Sequence, residues 1–282
     1  TAWGYKNNIV IKKSFDNNIM FLAADSLKET NIDEMILSIS TRLSEGYEAK
    51  RVPFDQLHLL ATNNEYHWCS HHFQGEIRRA ENALPLFNMI VLDIDGTMPL
   101  NVAQDLLKQY RAFFYTTKSH TEEVHRYRII LPINYEVEMN REEYNACMDA
   151  VLQTLPFECD PATKDIARKW MCNDGEYFYQ EGELFDILPF IPNTSRSDER
   201  HQAFQNQSDL DNLERWVLNH TGSGNRNDQI YKYAMVLADA GKSLEQIGEL
   251  ARSLNNKLSD RLSDEEIMNT VLKSVSNKMN RK

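Results

Sequence analysis

Two carboxylates stand one residue apart at the end of an apolar run, Met89-Ile90-Val91-Leu92-Asp93-Ile94-Asp95-Gly96-Thr97. A run so rich in branched apolar residues reads as a buried strand. Side chains alternate along a strand, so Asp93 and Asp95 share a face and Gly96 ends the element. Acids placed side by side repel each other unless a cation neutralises them. For an all-oxygen pair that cation is usually Mg²⁺ or Mn²⁺, and such ions act mostly on phosphates. An ordinary strand end with water-facing acids is the alternative, and the residues that follow argue against it.

Those residues are cationic. Thr117-Lys118-Ser119-His120-Thr121 leads into His125-Arg126-Tyr127-Arg128-Ile129-Ile130-Leu131-Pro132, which reads as a hairpin. Alternation puts Arg126 and Arg128 on one face, two guanidinium forks suited to phosphate oxygens. Lys118, Ser119, His120 and His125 add donors around the turn. Further on, Cys159-Asp160-Pro161-Ala162-Thr163-Lys164-Asp165-Ile166-Ala167-Arg168 supplies another acid, Asp160 or else Asp165, with Lys164 and Arg168 as further cations. Three acids with a cationic loop describe a two-metal nucleotidyl-transfer site.

The elements that must position these groups follow from periodicity. Residues 31–46 predict an amphipathic helix, with Ile32, Met35, Ile36, Ile39 and Leu43 on one face and Asn31 with Glu34 as its capping pair. Phe54, Leu57 and Leu60 form a second apolar cluster. A helix over about 99–110 separates the acid strand from a strand at 112–117, and Asn140 with Glu143 caps a helix carrying Tyr144, Met148, Val151, Leu152 and Leu155. Helices mixed with hairpin-connected strands predict an α+β sheet. Residues 193–208 turn polar and read as a linker, separating a catalytic domain at 1–192 from a helical accessory domain at 209–282. Helices are expected there over 210–219, 228–240, 244–255 and 264–279, with capping boxes at Ser243/Gln246 and Ser263/Glu266 and stops at Gly222 and Gly241.

Composition sets the frame. A chain of 282 residues with net charge −11 does not favour broad, nonspecific nucleic-acid binding, although a local basic groove is compatible with it. No apolar run reaches membrane-spanning length and no export signal opens the chain. The first residue is Thr1 rather than Met, so at least an initiator residue is expected upstream. Four cysteines without any C-x-x-C pair suit reduced thiols in a cytoplasm. His67, Cys69, His71 and His72 have zinc-ligand chemistry but no second ligand pair, so polar residues near a loop is the preferred reading. Arg78 and Arg79 suit either a nucleotide channel or open solvent. Trp170 and Tyr177 suit the core better than base stacking. A template role for the tail requires Arg226, Lys232 and Lys273 to share a face.

Asp93-Ile94-Asp95-Gly96-Thr97 resembles the nucleophile motif of haloacid-dehalogenase-type phosphatases, with Thr116 or Thr117 and Lys164 as later motifs. That family needs a helix after the threonine strand, where this chain runs directly into another strand. The motifs taken in order resemble more closely the archaeo-eukaryotic primase superfamily, in the form carried by phages and mobile elements. Asp93 and Asp95 match its first motif, and Cys159-Asp160 its third. Ser119-His120 stands for its Ser-x-His motif without the intervening residue, which leaves His120 and His125 both open as the phosphate contact. The residues from 224 to 267 resemble its helical C-terminal domain, and the likeness covers about 75 to 282. The resemblance implies an RRM-like catalytic sheet, two Mg²⁺ or Mn²⁺ ions on Asp93, Asp95 and Asp160, and primer synthesis on single-stranded DNA from NTPs or dNTPs. It admits a replicative helicase as partner. A replication-initiation module that binds DNA without catalysis is the alternative.

Overall fold

The computed structural model describes residues 10–15, 18–23, 27–207 and 210–280. In chain order it contains β1 (Val10–Phe15), β2 (Asn18–Ala23), β3 (Lys28–Glu29), β4 (Met35–Ser40), β5 (Glu48–Val52), α1 (Leu57–Ala61), β6 (His67–Cys69) and β7 (Leu86–Asp95). There follow α2 (Leu100–Leu106), β8 (Ala112–Thr116), β9 (Arg126–Glu138), α3 (Arg141–Thr154), β10 (Trp170–Met171) and β11 (Tyr177–Gln180). The rest is helical: α4 (Ser195–Asn206), α5 (Asn212–His220), α6 (Arg226–Asp239), α7 (Leu244–Lys257), then α8 (Asp264–Glu266), a π-helical turn at Ile267–Leu272, and α9 (Lys273–Met279). The class is α+β, as expected.

β1 and β2 form an antiparallel hairpin. The main sheet runs β11-β8-β9-β3, with β7 also on β9, and a second sheet runs β10-β6-β4-β5; every pairing is antiparallel. From β7 to β11 the order is β-α-β-β-α-β, interrupted only by the short β10. In a split βαβ sheet the last strand lies beside the first. Here β11 pairs with β8 and not with β7, so the sheet departs from that plan at one edge.

The two sheets meet in one core. Met89 and Val91 of β7, Phe113 and Tyr115 of β8 and Ile130 of β9 pack against Met35 and Leu37 of β4, Trp68 of β6 and Trp170 of β10. Asn88 tightens the join at a bulge in β7: its Oδ1 accepts from the Ile36 N–H at 2.9 Å and its Nδ2 donates to the Glu34 carbonyl at 2.9 Å.

Two expectations are corrected. Residues 35–40 form a strand, not part of a helix over 31–46. β4 is buried along nearly its whole length, so its apolar residues run without alternation and mimic helical spacing. Asn31 starts a turn instead of a helix, its Oδ1 accepting from the Asp33 N–H at 3.1 Å. The polar stretch 193–208 is no linker either, because α4 fills most of it. Thr194, buried, starts that helix: its hydroxyl accepts from the Ser197 N–H at 3.1 Å and donates to the Ile191 carbonyl at 2.9 Å.

The chain divides into two compact units, one running through Asn206 and the other comprising Gln207–Lys282, to which Thr154–Phe157 is also assigned. The second unit is built around Ile230, Ala234, Ile247, Ala251, Ile267, Val271 and Val275. Both expected capping boxes are present. Gly241, at φ +78°, ends α6 in the left-handed conformation that glycine adopts without strain.

Candidate active site

Strand register assembles the site. Asp93 lies opposite Arg128 and Asp95 opposite Arg126, so all four side chains share the face that carries Met89, Val91 and Tyr115 lower down. Arg126 Nη1 is 3.3 Å from Asp95 Oδ1, and Arg128 Nε is 3.3 Å from Asp93 Oδ1. The second contact is close enough for an ion pair but makes no hydrogen bond, and Arg128 Nε has no other partner. Gly96, at φ +82°, turns the chain away from β7, and a Cβ there would stand 2.9 Å from Val124. Thr97 Oγ1 donates to the Glu158 carbonyl at 2.7 Å, tying this turn to the segment that carries Asp160.

Asp160 is brought in by its backbone, whose N–H donates to the Asp93 carbonyl at 2.9 Å. Its two carboxylate oxygens have separate work. Oδ1 accepts from the Ala162 N–H at 2.9 Å and caps the 3₁₀ turn Pro161–Lys164, while Oδ2 lies 3.0 Å from Arg168 Nη2. The same Nη2 is 3.5 Å from Asp93 Oδ2. One guanidinium nitrogen therefore touches both acids. Burial raises the Asp93 pKa above the ordinary carboxylate value, in spite of Arg128 and Arg168, with Asp95 and Asp160 adding repulsion.

Arg128 departs from its expected role as a phosphate grip. It is only 9% exposed, and its Nη1 donates to the Met171 carbonyl at 2.6 Å and to the Tyr115 hydroxyl at 3.2 Å. Trp170, buried as expected, lies under both Arg128 and Arg168, with guanidinium carbons 5.3 and 5.5 Å from its ring centroid. Tyr115 is a further residue of the site, and its signal in the sequence is the strand alternation that places it in register with Arg128.

The two histidines are fixed alike. His120 Nδ1 accepts from the Arg126 N–H at 3.1 Å, and His125 Nδ1 accepts from the Leu100 N–H at 3.2 Å. A ring whose Nδ1 accepts carries its hydrogen on Nε2, so each ring presents an Nε2–H donor. The rings meet edge to face, centroids 5.3 Å apart. Lys118 and Ser119 are exposed in the turn between β8 and β9.

Other candidates stand apart. Lys164 pairs with Asp149 of α3 at 2.8 Å rather than with the acids. Asp165 Oδ1 accepts from the Ala167 N–H at 3.0 Å and its carbonyl from the Arg168 N–H at 2.8 Å, so it shapes the turn before Arg168. Arg78 braces the core, its Nη1 donating to the Ala167 carbonyl at 2.8 Å. His71 and Cys69 are fully buried, and His72 Nε2 bonds the Lys50 carbonyl at 3.0 Å. In the helical unit, Arg226 pairs with Asp260, and Lys232 with Asp228 at 3.0 Å.

Asp93 and Asp160 both reach one cationic nitrogen, that of Arg168, and carboxylate oxygens are the donors a hard divalent cation takes. Asp95 is turned to solvent and to Arg126, and among the described residues no three His, Cys, Asp or Glu side chains are grouped closely enough to hold a metal.

Residues 70–188 match the family model of the VapE N-terminal domain, and residues 214–280 match Primase C terminal 1 (PriCT-1). The pairing is that of a primase-type protein. The first match spans both motif acids, the hairpin and the Asp160 segment; the second spans most of the helical unit. Comparison with curated proteins and with solved structures gives no match. Among the described residues no helix is long and apolar enough to cross a membrane.

Proposed function

We propose that the first unit is the catalytic domain of a primase or primase-polymerase, making primers on single-stranded DNA during replication of a phage or mobile element. The observation that carries this reading is the meeting of Asp93 and Asp160 on one cationic nitrogen. Asp93 and Asp160, joined by Asp95, would hold Mg²⁺ or Mn²⁺, which supplies charge neutralisation for the attacking and leaving oxygens of nucleotidyl transfer. His120, His125 and Arg126, with Lys118 and Ser119 from the turn, receive the triphosphate of an incoming NTP or dNTP. Arg128 holds Asp93 in place from beneath. The sheet would be a variant of the RRM-like core with its last strand moved to the β8 edge. The helical unit would serve initiation, and a replicative helicase is a partner this reading admits.

The decisive experiment combines single-stranded DNA, labelled nucleotides and Mn²⁺ or Mg²⁺, with products resolved by length. Short template-dependent products that vanish in Asp93→Asn and Asp160→Asn support the reading. Their persistence at wild-type rate in both variants overturns it. One observation favours a second reading, a DNA-binding initiation module without catalysis: Asp93, Asp95 and Asp160 are each already paired with an arginine. That reading expects DNA binding with no synthesis. The phosphatase reading expects inorganic phosphate from simple esters, but β8 is followed by a turn and β9 where that family needs a helix.

A further inference from the structure

We propose that Arg168 is an internal placeholder for the cation at Asp93 and Asp160, and that its displacement couples metal loading to triphosphate loading. The inference rests on the catalytic reading above. Arg168 Nη2 lies 3.0 Å from Asp160 Oδ2 and 3.5 Å from Asp93 Oδ2, the oxygens a divalent ion would need. Mg²⁺ requires its oxygens at about 2.0–2.1 Å, so the guanidinium and the ion compete for the same atoms.

The two arginines beneath the acids are anchored differently. Arg128 is enclosed and bonded to Tyr115 and Met171. Arg168 has a side chain 33% exposed and a buried Nε without a hydrogen-bond partner, and it rests on the face of Trp170. Its backbone is pinned to Asp165, so the guanidinium can leave the acids by side-chain rotation alone. Leaving has a cost when only a metal arrives, because Arg168 gives up two carboxylates and gains nothing. A triphosphate arriving with the metal offers the displaced fork phosphate oxygens, which it suits. Metal and triphosphate thus each strengthen the binding of the other, as linkage requires.

The test is Mn²⁺ binding to the full chain, read by electron paramagnetic resonance of free Mn²⁺, with and without a non-hydrolysable nucleoside triphosphate, after the Mn²⁺ held by the triphosphate alone is subtracted with a protein-free control. Wild type is expected to bind Mn²⁺ weakly alone and at least about tenfold more tightly with the triphosphate. Arg168→Gln is expected to bind Mn²⁺ alone roughly tenfold more tightly than wild type and to lose most of the triphosphate effect. Arg168→Lys, which keeps the charge but not the fork, should fall between them and covers the case in which the glutamine variant does not fold. If the folded variants bind Mn²⁺ no better than wild type while Asp160→Asn abolishes binding, the placeholder idea fails and the catalytic reading stands. If Mn²⁺ binding does not depend on Asp93 and Asp160 at all, both fail.

Discussion

Two side chains make opposite demands on the core of the first unit. His71 is fully buried, edge-on to Tyr144 at 4.8 Å, and burial pushes its pKa down to about 3, with His72 nearby adding to the fall. Below an unfolded value of about 6.5 the unfolded chain takes up a proton that the folded chain refuses. Stability should therefore fall as pH drops from there toward 3, by about 2–3 kcal/mol over the first two pH units. His71→Phe should remove that part of the acid sensitivity, checked by urea melts at pH 7 and pH 5. Asp93 runs the other way, its raised pKa meaning that the ionised form costs stability as pH rises above the unfolded value. It also balances the buried Arg128. Asp93→Asn should therefore relieve part of that cost at pH 7, as a urea melt can check. In an Arg128→Met background the same change should relieve more, because no counter-charge is then lost, and a double-mutant cycle measures the coupling. Equal effects in the two backgrounds would mean that Tyr115 and Met171 alone hold Arg128.

Among elements, α3 gives the cleanest expectation. Asn140 and Glu143 form a reciprocal cap, the Glu143 N–H donating to Asn140 Oδ1 and the Asn140 N–H to Glu143 Oε2, both at 2.9 Å. Asn140→Ala should cost about 1 kcal/mol in a denaturant melt with the slope unchanged. This cap was legible in the sequence, as were β7, β8, β9 and the two boxes of the helical unit, because each rests on local spacing. β4 was not legible. A strand buried on both faces loses the alternation that marks strands, and Ile32, Met35, Ile36 and Ile39 then match a helical face. The candidate site divides in the same way. Asp93, Asp95, Arg126 and Arg128 follow from alternation and a hairpin. The burial of Arg128, the bridging by Arg168 and the pairing of Lys164 with Asp149 depend on side chains far apart in sequence, which spacing does not encode.

At the scale of the molecule, the division after Asn206 moves the boundary for a functional core. α4 belongs to the first unit, with Arg200 lying over the Phe190 ring at 5.6 Å and Thr194 capping the helix from a buried position. A truncation after Gln207 should unfold cooperatively, whereas one ending at Pro192 should melt at a lower temperature, as circular dichroism can show. If the first unit holds the chemistry, the longer truncation should extend a pre-annealed primer yet start new chains poorly. De novo synthesis equal to that of the full chain would assign no initiation role to the helices.

The register that joins β7 to β9 also bears on how the chain finds its fold. A slip of one residue by β7 would turn Asp93 and Asp95 toward the side now occupied by Leu92 and Ile94, and one by β9 would turn Arg126 and Arg128 toward that of Tyr127 and Ile129, all buried. Two charges of one sign would then enter an apolar layer, parted from their partners on the other strand. The groups assigned to chemistry thus also penalise misaligned pairings of β7 with β9. Neutralising all four would remove that penalty, so misregistered, slowly refolding species should accumulate even where the final native state is no less stable.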